Sequence, residues 1–294
     1  MGVILVAVID SPDFMFIDEN IDKYTFLKRL YIFLKGVLVG FIFKYTNQKT
    51  FCFFMNLLIK NQNKIFYKDN NYSKFILNNK LIQYPNKRIV RVLKNEKAQL
   101  NLLFSTYCLD SLNFSENDLV VDCGANIGEL RYSFLNKDIN IQYIAFEPEP
   151  KTFVCLKNNL QNNDFGDCYN IALSNESGKK SFYVDKEGGN SSLEYFGKNN
   201  ETKVDIKNLD EIGLKDIKLL KIEAEGHENE VLQGSVETLK TTNYVVVDYG
   251  PEKGVEQKST ASEVINFLYD NNFRLIETSK HRQVGLFKNQ KDPS

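Results

Sequence analysis

Residues 119–129 read LVVDCGANIGE, and this stretch constrains the rest of the chain more than any other. Three apolar residues lead into an acid, Asp122, after which the chain turns through Gly124, Ala125, Asn126, Ile127 and Gly128 into a helix-like segment. A buried strand that enters a glycine-bearing turn and then a helix presents backbone N–H groups to a ligand at the carboxyl end of a parallel sheet. The dinucleotide fingerprint GxGxxG would need glycine at positions 126 and 129, where this chain has Asn126 and Glu129. A pyrophosphate ligand is therefore disfavoured. The spacing DxGxxxG suits a nucleoside that lacks a pyrophosphate and carries an ammonium for the strand-end carboxylate to hold. S-adenosylmethionine is such a ligand, and Asp122, Gly124, Ala125, Asn126 and Gly128 are its candidate contacts.

The chain has 294 residues, which fits one large α/β catalytic domain over residues 73–294 preceded by a helical N-terminal extension over residues 1–72. With 37 basic against 38 acidic side chains there is no net field to attract a polyanion, so nucleic acid is not an expected partner. The five cysteines stand far apart with no CxxC pair, which indicates neither a zinc site nor a disulfide framework and suits a reducing cytoplasm. Residues 2–9 form a short apolar run with no basic leader, a poor signal peptide and a better short strand. Residues 21–60 are rich in Leu, Phe, Ile and Lys, but their uncharged pieces are far shorter than the roughly 20 residues of a spanning helix. They predict one or two helices that pack on the catalytic domain or a second subunit; the other reading is a basic amphipathic helix on a membrane surface.

Further along, residues 61–71 read as a polar linker, and residues 81–93 as a hairpin around the Tyr-Pro-Asn-Lys turn. Residues 98–112 have helical spacing ahead of the ligand turn. The second strand, residues 141–146, ends in Glu147, at the separation where nucleoside-binding sheets place an acid that accepts both ribose hydroxyls. A third strand ends in NIALS, which makes Asn170 the candidate adenine contact; the alternative is a plain turn residue. The loop GGNSSLE at residues 188–194 is a candidate substrate lid, with Ser191 and Ser192 as substrate contacts.

The segment LLKIEAE at residues 219–225 is the other informative stretch. Charge in a central strand is costly, yet Lys221, Glu223 and Glu225 alternate with Ile222 and Ala224. Alternation would put all three on one face at the carboxyl end, where open α/β sheets hold their sites. They are candidate catalytic groups; for Lys221 the competing reading is a Lys–Glu pair that tethers the strand. Residues 228–240 read as one helix, opened by Gly226 and His227.

Taken in order, VVDCGANIG, Phe146-Glu147-Pro148, NIALS, GGNSSL, Leu209-Asp210, LLKIEAEGHE and VLQG span residues 113–248 and resemble the FkbM family of S-adenosylmethionine-dependent methyltransferases. The resemblance implies a class I methyltransferase Rossmann-like fold, an α/β architecture with a seven-stranded, mostly parallel sheet and helices on both faces. It also implies methylation of a hydroxyl, often on a sugar or a polyketide, with S-adenosylhomocysteine as the product. Two departures stand out: the family usually has Asp where this chain has Glu223, and commonly a small residue where His227 stands.

Methyl transfer to an alcohol needs alignment of two reactants and removal of a proton from a weakly acidic hydroxyl. His227 at a helix start, or else Glu225 or Glu223, is the candidate base. His281, in the turn between the last two strands, is a further candidate substrate contact. A divalent cation held by Glu223, Glu225 and Asp248 is a competing mechanism, although no metal site is specifically indicated. The expected acceptor is a small molecule or carbohydrate, in bacterial surface-polysaccharide assembly, and a homodimer is an open alternative. The rival functions are a nicotinamide-dependent sugar oxidoreductase and a catalytically silent methyltransferase-like module that binds a membrane or partner.

Overall fold

The computed structural model describes residues 25–59, 63–185, 191–197 and 200–291. The apolar run at residues 2–9 and the GGN half of the expected lid lie outside them. The chain divides into two compact units, residues 1–99 and 100–294.

The described part of the first unit begins with α1 (Phe26–Tyr45) and α2 (Gln48–Leu58), two helices where one or two were expected. Each starts on a side-chain cap: Thr25 accepts the Lys28 N–H, and Asn47 accepts the Thr50 N–H. Strands β1 (Phe66–Lys68), β2 (Asn71–Ile76) and β3 (Lys80–Tyr84) follow as an antiparallel sheet. The expected linker at residues 61–71 thus contains β1, and the expected domain boundary after residue 72 falls inside β2. The hairpin also moves. Its turn is Leu77-Asn78-Asn79, all at positive φ, a conformation that asparagine tolerates. At Pro85 the chain instead leaves β3 for a 3₁₀ segment, Lys87–Val92, capped by Asn86. The Lys74 ammonium is buried here, answered by Glu96 Oε2 at 2.7 Å and the Val92 carbonyl at 2.6 Å.

Helix α3 (Glu96–Thr106) leads into the second unit. There β4 (Leu119–Cys123), α4 (Glu129–Asn136), β5 (Gln142–Phe146), α5 (Pro150–Gln161) and β6 (Asp167–Tyr169) run in simple alternation. Next come β7 (Ala172–Leu173), β8 (Gly178–Tyr183), β9 (Glu201–Lys207) and α6 (Leu209–Ile212). Then β10 (Ile217–Ile222), α7 (Glu228–Gln233), α8 (Val236–Leu239) and β11 (Thr242–Asp248) resume the pattern. The unit ends with β12 (Pro251–Lys253), β13 (Lys258–Ser259), α9 (Ala261–Asp270), β14 (Phe273–Thr278) and β15 (Val284–Asn289).

Seven strands form the main sheet in the order β14-β15-β11-β10-β4-β5-β6. All pairings from β6 through to β11 are parallel, whereas β15 runs antiparallel to both its neighbours. The strand order reverses between β4 and β10, so a crevice opens at their carboxyl ends. Leu220, Ile222, Val245 and Val247 bury one face against α7, α8 and α9. On the other face, Lys221 lies under the Tyr107 ring just beyond α3, while Phe104 of α3 packs edge-on to Phe134 of α4. This is the class I Rossmann-like arrangement, with helices on both faces.

Strands β7, β9 and β8 make a separate small sheet around Phe182, Leu193, Val204 and Ile206. The NIALS segment therefore ends its main-sheet strand at Tyr169, and Ala172–Leu173 pairs with β9 instead. The expected helix over residues 228–240 breaks into α7 and α8 at Gly234 because another chain segment passes close by. A Cβ at Gly234 would stand 2.0 Å from the Ser174 carbonyl oxygen. Gly234→Ala is accordingly expected to destabilise the protein by about 1–3 kcal/mol, read as a lower urea midpoint at unchanged slope.

Candidate active site at the β4–β10 crevice

Strand β4 delivers its carboxyl end into a turn tied to both neighbouring strands. The N–H groups of Gly124 and Ala125 both donate to the Phe146 carbonyl at 3.0 Å, and the Glu223 N–H donates to the Cys123 carbonyl at 3.1 Å. Gly124 sits at φ +73°, and a Cβ there would fall 1.8 Å from the Glu223 carbonyl oxygen. Only glycine fits this approach of two strand ends. Asn126 follows at φ +51°, Ala125 is buried, and Gly128 caps α4. The Asn126 N–H donates to Glu147 Oε2 and the Glu149 N–H to Glu147 Oε1, each at 2.9 Å. Burial pushes the Glu147 carboxyl up to about 8, against the downward pull of these two N–H groups. Asn170 points its amide at the backbone: Nδ2 donates to the carbonyls of Glu147 and Pro148, at 2.8 and 3.0 Å. Its amide nitrogen therefore ties the ends of β5 and β6 together.

Behind the turn lies a buried charge network. Lys221 Nζ stands 3.0 Å from Asp122 Oδ1 and 3.1 Å from Glu223 Oε2, and it donates to the carbonyls of Gly124 (2.9 Å) and Cys123 (3.3 Å). The Tyr143 hydroxyl donates to Asp122, and the Tyr107 hydroxyl donates to Glu223. Burial alone would lower the Lys221 ammonium, but Asp122, Tyr107 and Glu223 together hold it well above its usual range. Asp122 therefore meets a lysine and a tyrosine of its own chain at the place expected to hold a ligand ammonium. Lys221 is the tether that draws β10 and the β4 turn together.

Arg282, half-buried, supplies the second cation of the network. It enters from the β14–β15 turn and places Nη1 2.9 Å from Glu223 Oε1, and Nη2 2.8 Å from Asp248 Oδ2 and 3.4 Å from Glu252 Oε1. Burial would raise the Glu223 carboxyl, but Lys221 and Arg282 overcome it and keep the group ionised well below the usual range. The position between Glu223 and Asp248, proposed above for a divalent cation, is spanned by this guanidinium. Strand β10 ends at Ile222, so the alternation stops before Glu225, which turns at φ +51°. Glu225 is half-buried, its Oε2 is closed off from solvent and lacks a hydrogen-bond partner, and desolvation with Glu252 and Glu223 nearby raises its carboxyl well above the usual value. Asp248 is pushed up to about 7 and Glu252 to about 8, burial being the main cause in both.

His227 belongs to a different network. Its Nε2 lies 3.0 Å from Ser174 Oγ and its Nδ1 2.8 Å from Glu194 Oε1, with Glu230 Oε2 at 3.7 Å, and the ring is buried. Both ring nitrogens are thus engaged, which makes His227 a poor proton acceptor for a substrate. Glu194, His227 and Glu230 bring potential metal-ligand atoms within 4.8 Å of one another, but Lys253 Nζ is already 3.4 Å from Glu230 Oε1. Ser192 Oγ donates to the Glu225 carbonyl at 2.8 Å, and Ser191 Oγ accepts the Asp185 N–H at 2.9 Å. Both serine hydroxyls pin the loop. His281 is exposed beside the inward-turned Arg282, so the substrate contact expected there falls one residue away from the side chain that enters the site.

The Methyltransferase FkbM domain model matches residues 122–275, just over half of the chain. The chain belongs to the FkbM methyltransferase family. It carries an S-adenosylmethionine-dependent methyltransferase domain, not an oxidoreductase. The FkbM match is accompanied by similarity to Methyltransferase sdnD of Sordaria araneosa, 28% identical over 198 residues, covering 54% of this chain and 76% of that one. The 2-O-methyltransferase NoeI of Sinorhizobium fredii is 22% identical over 179 residues, covering 54% and 74%. A crystal structure of methyltransferase FkbM from Methylobacillus flagellatus aligns at TM-score 0.46 and 16% identity, covering 68% of this chain and 59% of the other.

The charge balance of the FkbM site fits its methyl donor. Five carboxyl groups (Asp122, Glu223, Glu225, Asp248 and Glu252) stand around two cations, Lys221 and Arg282. Glu225, Asp248 and Glu252 hold protons more tightly than usual here, and a ligand bearing a sulfonium and an ammonium would favour their ionised forms. Tyr107, Tyr143, Arg282 and Glu252 carry no motif signal, because each reaches the site from a distant element.

Two measurements follow from this network. Glu147, Asp248 and Glu252, and Glu225 in the same direction, bind protons in the folded state that the unfolded chain has released. Stability of the ligand-free protein is therefore expected to fall as pH rises from about 5 to about 8, seen as a declining melting temperature. Arg282→Met leaves Glu223 and Asp248 without their guanidinium and is expected to cost about 3 kcal/mol in urea unfolding. Arg282→Lys is expected to recover only part, because an ammonium cannot span both carboxylates as the planar fork does.

Proposed function

We propose that this methyltransferase acts on a hydroxyl of a sugar or glycan precursor, in the assembly of a bacterial surface polysaccharide. The observation that carries the proposal is Glu225, a half-buried carboxyl whose Oε2 is closed off from solvent and unpartnered beside the charge network at the strand ends. An alcohol acceptor needs a base, and a carboxyl whose proton affinity is raised above the usual range is suited to that work. The 2-O-methyltransferase among the relatives supports oxygen as the acceptor atom.

When bound, S-adenosylmethionine supplies an electrophilic methyl group on sulfur. Glu147 takes the ribose: each of its oxygens accepts one backbone N–H and retains a lone pair for a hydroxyl. The turn at residues 124–128 cradles the nucleoside. Lys221 holds that turn in register through the Cys123 and Gly124 carbonyls. Glu225 would take the proton of the acceptor hydroxyl. Glu223 serves as a fixed anion, because Lys221, Arg282 and Tyr107 keep it ionised and a weak base. His227 orients the 191–197 loop through Glu194 and takes no proton.

Calorimetry with S-adenosylmethionine tests the first half: binding is expected in the wild type and a loss of at least about tenfold in Glu147→Ala. Transfer of labelled methyl to a panel of saccharides and nucleotide sugars tests the second. Glu225→Gln is expected to lower turnover about 10²–10⁴-fold while donor affinity stays within a few-fold. A variant that keeps near-normal turnover would remove Glu225 as the base.

A further inference from the structure

Helix α1 carries a surface that the methyltransferase site does not use. Its buried residues, Gly36, Val39 and Ile42, share one side. The opposite side is apolar and open to solvent: Phe26, Leu30, Phe33, Val37 and Phe41 form one row, and Leu27, Tyr31, Leu34, Leu38 and Tyr45 a second. Phe26 is 77% exposed, Phe33 66% and Phe41 60%. At 100° per residue these ten side chains fill an arc of about 160°, along a helix about 30 Å long. Phe53 and Leu57 of α2 are exposed as well. A continuous apolar face of this size on a folded chain marks an interaction surface.

The charge of the segment selects the occupant. Residues 25–59 contain Lys28, Arg29, Lys35, Lys44 and Lys49 and no acidic residue. At 100° per residue Lys35 and Lys28 fall about 40° and 60° beyond one edge of the apolar arc and Arg29 about 40° beyond the other, with Lys44 within it near the helix end. A second copy of this helix, docked face to face, would bring the same cations to both sides of the contact with no carboxylate from either α1 or α2 between them. An anionic headgroup layer supplies the opposite charge along the whole helix, while its acyl boundary takes the Phe and Leu rows. No helix among the described residues is long and apolar enough to cross a membrane. We propose that α1 lies in the plane of an anionic lipid surface, its Phe26–Tyr45 apolar face toward the acyl chains and its basic residues at the headgroups. This inference rests on α1 and is independent of the acceptor and base proposed above.

Co-sedimentation of the full chain with vesicles tests it, using phosphatidylcholine alone and phosphatidylcholine mixed with phosphatidylglycerol. Binding to the mixed vesicles is expected to be at least about tenfold tighter than to the neutral ones and to weaken with added salt. The exposed-face variant Phe33→Ser/Val37→Ser/Phe41→Ser is expected to lose vesicle binding at an unchanged melting temperature. Should that variant fail to fold, Lys28→Gln/Arg29→Gln/Lys35→Gln/Lys44→Gln keeps the apolar face and is expected to bind the mixed vesicles about tenfold more weakly. Absence of wild-type binding to mixed vesicles overturns the proposal. So does equal binding to both vesicle types, or a wild-type dimer that the exposed-face variant dissociates with no vesicle binding in either.

Discussion

The ammonium of Lys221 joins the two strands on which the site depends. It sits at the reversal point of the sheet, where β4 and β10 run side by side, and it touches a carboxylate from each strand together with the carbonyls of Cys123 and Gly124. An unpaired charge in this position would be prohibitively desolvated. With Asp122, Glu223 and two carbonyls around it, the same charge fixes the spacing of the strand ends and hence the shape of the Gly124 turn. The clamp works with the parallel β4–β10 ladder and the Glu223 N–H bond to the Cys123 carbonyl at the close pass of Gly124 over the Glu223 carbonyl.

The acids around that clamp divide by their neighbours. Glu223 lies against two cations and a tyrosine hydroxyl and stays ionised. Glu225, two residues on, has left the strand, and desolvation first, then the nearby Glu252 and Glu223 carboxyls, disfavour its charge. Glu147 is set apart on β5, raised by burial while accepting two backbone N–H groups. Three glutamates in one crevice thus differ in proton affinity through burial and pairing alone, and the separate roles proposed for them rest on that difference. Arg282 sustains the division by spanning Glu223 and Asp248 from a turn at the far end of the chain.

His227 illustrates how a site residue chosen for its chemistry can be claimed by packing. A histidine at a helix start beside an acidic strand end has the profile of a base. Ser174, at the end of β7, and Glu194, on the loop between β8 and β9, close on its two nitrogens. Both belong to the part of the chain that builds the small second sheet, whose pairing with the β10 end was not visible in any local pattern. The break between α7 and α8 has the same origin, since Ser174 backs onto Gly234.

The sequence by itself determined the strand–turn–helix at residues 119–129, the alternation up to Tyr169, the family and the placement of Glu147, because each is written in neighbouring residues: an apolar run, glycines at fixed spacing, an acid at a strand end. It also determined that Lys221 and Glu223 share a face, since a period of two needs no tertiary information. Only the tertiary structure decided which charges meet. Tyr107, Tyr143, Arg282 and Glu252 come from elements separated by up to 116 positions from the residues they contact, counting from Tyr107 to Glu223. Their proton affinities depend on burial and on charges brought close by folding, and neither quantity is carried by the order of residues along the chain.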